Sequence, residues 1–166
     1  MSTTRRLLLL AAAALLVAGS ALLASRAAAS ATDDATRVAL AAPPTEVTVY
    51  RSPTCGCCRK WVTHLEEAGF TVKQVELADL SEIKAQAGVP EKLHSCHTAL
   101  VGRYAIEGHV PADDIKRLLA EQPDVHGLSA PGMPAGSPGM EVDGRKDKYD
   151  VMSFTRDGQS SVWASH

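Results

Sequence analysis

Aromatic residues make up only 4% of the 166-residue chain, and positive charge is in no excess, with 17 Lys and Arg against 19 Asp and Glu. A mildly acidic chain poor in aromatic residues offers no electrostatic footprint for nucleic acid. No internal repeat is visible. Long apolar runs are also lacking beyond the first 24 residues. Cysteine is scarce, with four residues in all. Their placement is far from even: Cys55, Cys57 and Cys58 fall within four positions, and Cys96 stands apart.

The apolar run Leu7–Ala24 follows Arg5 and Arg6 and precedes Ala29-Ser30-Ala31. A basic start, an apolar stretch and a small-residue site are the parts of a cleaved export signal. The run is just long enough to compete as an anchor, since a span needs about 20 residues. The small residues that follow favour cleavage, so residues 1–31 are expected to be a signal peptide. Removing them takes away three arginines and no acid, so the formal charge moves from −2 to −5. Residues 32–45 are expected to be a flexible tether, and residues 46–166 one domain. The expected location is outside the cytoplasm, with no membrane attachment after cleavage.

Glu46–Tyr50 reads as a first strand. Cys58, Val62, Leu65 and Ala68 recur at helical spacing. Thr71–Leu77 reads as a second strand, and Leu80–Ala87 as a short helix stopped by Gly88 and Pro90. Thr98–Val101 and Tyr104–Glu107 form a hairpin through the two-residue loop Gly102-Arg103. A helix starts near Pro111, with Asp113 and Asp114 at its positive end. This βαβαββα order is thioredoxin-like α/β. A Gly/Pro/Met loop, Gly127–Glu141, follows. Tyr149–Thr155 and Ser160–Ala164 read as a closing hairpin.

The cysteine cluster lies where the first strand meets the first helix. Thiolate sulfur is a soft ligand suited to Cu(I), zinc or iron–sulfur clusters. The pair Cys55 and Cys58 is also a Cys-x-x-Cys redox motif. A redox motif needs two sulfurs and is endangered by a third, whereas a metal site gains from Cys57. The even cysteine count also permits two disulfides in an exported chain. Such frameworks usually space their cysteines apart.

Cys96 enters the third strand, the segment that faces the cysteine motif in thioredoxin-like folds. Hairpin arithmetic adds a ligand. With Gly102-Arg103 as the loop, paired residue numbers sum to 205, so Cys96 lies across from His109. Opposed Cβ atoms stand about 5 Å apart, so Cys96 and His109 can share a metal. His97 is expected to point away from Cys96, His94 to be solvated, and His64 to lie on the helix surface away from the cluster. Met133 and Met140 are open between soft ligands and apolar fill under the loop. The expected metal ligands are Cys55, Cys57, Cys58, Cys96 and His109. The expected metal is copper as Cu(I). Zinc is the alternative, because three thiolates and His109 make a tetrahedral set. A thiol–disulfide oxidoreductase working through Cys55 and Cys58 is the reading from another class.

Four stretches carry a family resemblance: Thr54-Cys55-Gly56-Cys57-Cys58, Ser95-Cys96-His97-Thr98-Ala99, Ile106-Glu107-Gly108-His109-Val110-Pro111-Ala112, and Gly132-Met133-Pro134 through Gly139-Met140-Glu141. They resemble the CopG-like periplasmic copper-resistance proteins, a family of predicted metal-binding proteins formerly treated as a domain of unknown function. The resemblance implies a thioredoxin-like fold and copper held by the cysteine cluster. It also implies several Cu(I) ions bridged by cysteine sulfur and a role in periplasmic copper resistance. The partners it implies are copper ions and other periplasmic copper-handling proteins.

Overall fold

The computed structural model describes residues 45–142 and 144–166. The expected signal peptide, and all of the expected tether but Thr45, lie outside the described residues. Among the described residues, no helix is long and apolar enough to cross a membrane.

The fold is mixed α/β around one seven-stranded sheet. Strand β1 (Glu46–Arg51) leads into helix α1 (Gly56–Glu67), strand β2 (Thr71–Glu76) and helix α2 (Ser81–Gln86). A 3-10 turn (Glu91–Leu93) precedes the hairpin β3 (His97–Val101) and β4 (Tyr104–Gly108). Helix α3 (Ala112–Glu121), strand β5 (Gly127–Ala130) and the hairpin β6 (Asp150–Phe154) and β7 (Ser160–Ser165) complete the chain. The sheet order is β2-β1-β3-β4-β5-β6-β7. Strand β1 is parallel to β2 and antiparallel to β3, and β3 is antiparallel to β4.

Burial follows the side-chain periods. In β1, Val47 and Val49 are buried and their neighbours less so, as the period of two in a strand requires. On α1, Cys58, Trp61, Val62 and Leu65 make the buried stripe. That stripe joins Ile115 and Leu118 of α3 and Ala99, Ile106 and Leu128 of the sheet in the main core. The other sheet face holds a smaller cluster, Ala87, Val89, Leu93, Ala105 and Phe154. The cysteine motif at the start of α1 is therefore set at one end of the main core.

The hairpin register follows the expected sum: Val101 pairs with Tyr104, Ala99 with Ile106 and Thr98 with Glu107. The stretch after α3 departs from expectation. Gly127–Ala130, read as the beginning of a loop, is a buried strand parallel to β4 and antiparallel to β6. Its first residue needs close approach, because a Cβ on Gly127 would stand 2.7 Å from Phe154 Cζ. The Gly/Pro-rich loop begins only after this strand, at Pro131.

Candidate metal centre

Cys55 caps α1, its Sγ accepting from the Cys58 backbone N–H at 3.3 Å. A helix start leaves its first N–H groups unpaired, and sulfur here takes the place of the usual oxygen cap. One helical turn brings Cys58 back beneath Cys55, with their Cα atoms 5.4 Å apart, and the two form a disulfide. Cys57 and Cys96 are free thiols. There is thus one bridge within the cluster, and the two-disulfide framework does not form.

The four sulfurs form one group, with Cys57 Sγ 3.5 Å from Cys55 Sγ and Cys96 Sγ 3.6 Å from Cys58 Sγ. All four lie within 4.8 Å of one another. Cys58 is wholly buried and the other three are half-buried. A second group of candidate ligand atoms, from Cys96, His97 and His109, meets the same distance limit. Cys96 belongs to both groups.

His109 is oriented by the Gly/Pro-rich loop. Its Nδ1 lies 2.8 Å from the Pro138 carbonyl. A carbonyl only accepts, so Nδ1 carries the proton and Nε2 keeps its lone pair. That lone pair faces Cys96 Sγ at 3.0 Å. An outer carbonyl that fixes the tautomer of a ligating histidine is a recurrent feature of metal sites. Burial lowers the His109 pKa, the Pro138 carbonyl and Glu141 opposing it. Burial, reinforced by the nearby Cys57 sulfur, pushes the Cys96 thiol up to about 12. In this state the pair is a neutral thiol donating to a neutral imidazole.

Comparison with known proteins gives a consistent picture. Residues 93–140 match a family described as "Protein of unknown function, DUF411". No curated protein matches the chain. Two solved structures, of copper resistance protein CopG in form 2 and in form 1, are each 47% identical to it. Their TM-scores are 0.71 and 0.70, and each match covers 74% of this chain and 98% of the other. The chain belongs to the CopG family. The DUF411 match contains Cys96, His97, His109 and the loop through Met140, and Cys55, Cys57 and Cys58 lie before it.

Several histidines stand where the sequence did not put them. His97 was expected to point away from Cys96, but its Nδ1 is 3.3 Å from Cys96 Sγ. The pleat explains this. Strand β3 begins at His97, so His97 shares the core face with Ala99 and Val101. Cys96 precedes the ladder and is not bound by its alternation. The His97 ring is fully buried against Trp61, with centroids 4.4 Å apart, and edge-on to His109 at 5.0 Å. Its Nε2 has no hydrogen-bond partner among the described residues. Burial, then the neighbouring His109 and Lys84, holds its pKa well below the usual imidazole range.

His64 is not a free surface residue. Its Nε2 accepts from the Ala112 N–H at 3.0 Å and so caps α3, a helix whose cap residue Pro111 supplies no side-chain bond. His94 is half-buried, with Nε2 3.2 Å from the Val89 carbonyl, rather than solvated. Of the two loop methionines, Met133 is 56% exposed and Met140 is half-buried, so apolar fill does not describe Met133. The loop backbone at Gly139 runs against Cys57 and Trp61 at the start of α1. The loop therefore lies against the start of α1 at Gly139 and against the Cys96 segment at Gly132. Sequence reading also passed over Glu107, which lies beneath that segment.

Proposed function

We propose that this chain is an exported, periplasmic copper-binding protein with a thioredoxin-like core, holding Cu(I) through Cys55, Cys57, Cys58, Cys96 and His109. The observation that carries the reading is the convergence of four sulfurs and two imidazoles in a chain related to copper resistance proteins. The order β2-β1-β3-β4, with the cysteine motif opening α1, supports the thioredoxin-like core, and β5–β7 extend it. Soft sulfur donors favour Cu(I). Cys96 is common to both ligand groups, which suits a sulfur bridging two ions. His97 joins the ligand set through Nδ1. Residues 1–31 and 32–45 are the leader and tether of this proposal, and 46–166 the binding domain.

The ligand is the thiolate, not the disulfide. Copper loading at full strength therefore requires reduction of Cys55–Cys58, and each thiol that binds must lose its proton. The sign is set by Cys96. Its thiol stays protonated up to about pH 12 in the metal-free disulfide state. If reduction leaves its burial unchanged, copper must displace that proton throughout the neutral range. Apparent Cu(I) affinity is then expected to rise by at least about tenfold per pH unit between pH 6 and 8. Chelator competition at several pH values checks this, and a flat profile would remove Cys96 from the ligand set.

His109→Ala is expected to remove the copper–nitrogen contribution that the Nε2 lone pair makes, with the fold retained. His64→Ala is expected to leave copper uptake unchanged and to cost about 1 kcal/mol, as loss of a helix cap does. X-ray absorption and urea denaturation on both variants distinguish them. A copper–nitrogen signal undiminished in His109→Ala contradicts its assignment.

The Cys55–Cys58 disulfide favours one second reading, a thiol–disulfide oxidoreductase. Insulin reduction that persists in Cys57→Ser and Cys96→Ser would establish it over copper binding. Zinc is separated from copper by native mass spectrometry with both metals present.

A further inference from the structure

We propose that Glu107 is a positioning residue for the Cys96–His97 arm: a buried carboxylate, neutralised by Lys84, that clamps the Ser95 backbone N–H on one side of those two residues and the Thr98 hydroxyl on the other. The Glu107 side chain is wholly buried. Its Oε1 accepts from Lys84 Nζ at 2.5 Å and from the Ser95 backbone N–H at 2.6 Å. Its Oε2 accepts from Thr98 Oγ1 at 2.7 Å, and Lys84 Nζ also reaches Thr98 Oγ1 at 3.1 Å. Ser95 and Thr98 bracket Cys96 and His97, so one side chain holds both ends of the arm. His109 follows two residues further on, just past the end of β4, and Thr98 and Glu107 form a rung of the β3–β4 ladder.

Fold stability is a weak reason for such a pair. Replacing a buried ion pair by apolar residues of similar volume is often neutral or stabilising. What an apolar pair lacks is an acceptor for the Ser95 N–H, which lies outside the strand ladder. The carboxylate supplies that acceptor, and Lys84 makes its burial tolerable. Ser95 is further tied to the covering loop, its hydroxyl donating to the Gly132 carbonyl. The arm bearing Cys96 is thus fixed from β4 and from the loop together, and its sulfur is placed against Cys58 and His109 before any metal arrives. The consequence for copper rests on the reading of Cys96 as a ligand, whereas the clamp itself does not.

Two double variants separate positioning from charge removal. Lys84→Met/Glu107→Gln and Lys84→Met/Glu107→Leu both abolish the ion pair, but only the glutamine retains an oxygen for the Ser95 N–H. The readout is the alkylation rate of Cys96 in the metal-free disulfide form, followed by peptide mass spectrometry. The leucine variant is expected to label at least about tenfold faster than the glutamine variant, the scale of one lost hydrogen bond to a buried acceptor. Equal rates in two folded variants overturn the clamp. If the leucine variant fails to fold, hydrogen exchange of the wild-type Ser95 amide decides. Protection like that of the strand amides supports the clamp, and exchange at the rate of an open loop overturns it. Chelator competition with Cu(I) on the reduced variants isolates the other premise. Weaker copper binding in the leucine variant supports positioning for the metal. Unchanged binding despite a freed Cys96 counts against Cys96 as a ligand and leaves the clamp standing.

Discussion

Cys58→Ser lowers the Cu(I) affinity of the reduced protein by more than about 100-fold, beyond the 10–100-fold that loss of an outer orienting partner costs. Cys58 is the wholly buried sulfur of the four, and it faces Cys96 across 3.6 Å. It therefore joins the sulfurs on α1 to the sulfur and imidazoles on the other side. Serine is nearly the same size, so the core around Trp61 and Leu65 keeps its packing. Its hydroxyl is a hard donor that does not replace thiolate on Cu(I). The Cys96 carbonyl, 3.9 Å from the sulfur, offers an oxygen acceptor for the new hydroxyl. Chelator competition under anaerobic conditions, with circular dichroism as a check on the fold, measures the effect. An affinity within a few-fold of wild type contradicts the role of Cys58.

Gly108→Ala is expected to destabilise the fold by about 2–5 kcal/mol, combining a left-handed backbone cost with overpacking. Gly108 sits at φ +71°, between Glu107 and His109. A Cβ there would stand 2.5 Å from Ser95 Cβ and 2.8 Å from the Ala130 carbonyl oxygen. Neither neighbour can yield easily. Ser95 is held by Glu107 and Gly132, and Ala130 belongs to the buried strand β5. The chain leaves the sheet at this point to present His109 to Cys96, and only glycine allows both the turn and the close approach. Urea denaturation measures the change, and a loss under about 1 kcal/mol would show that the backbone relaxes around the methyl group.

The Cys96–His109 contact was legible in the sequence because a two-residue loop sets hairpin register. Gly102-Arg103 fixed which residues face each other, and the geometry persists past the last rung at Thr98 and Glu107. The helix α1 was legible because its buried stripe is regular. Strand β5 was not. Gly127-Leu128-Ser129-Ala130 is short, holds one large apolar residue, and becomes a strand only because β4 and β6 flank it. His97 was misread because alternation was carried one residue too far, into a segment that is not yet strand. The cap that His64 provides to α3 and the grip of Glu107 on Ser95 join residues 48 and 12 positions apart, and no local pattern announces either. Nor does spacing alone decide which sulfurs pair. Four cysteines permit three arrangements, and the helical turn from Cys55 to Cys58 is what brings that pair together.

Anaerobic Cu(I) titration of the fully reduced protein beside the Cys55–Cys58 disulfide form tests the central claim most directly. Copper would be measured after gel filtration, and the thiols counted in the same samples. The account predicts that the reduced protein retains at least one Cu(I) per chain, while the disulfide form, left with the Cys57 and Cys96 thiols, retains far less. Copper near zero in the reduced protein, or equal retention in both forms, would contradict it.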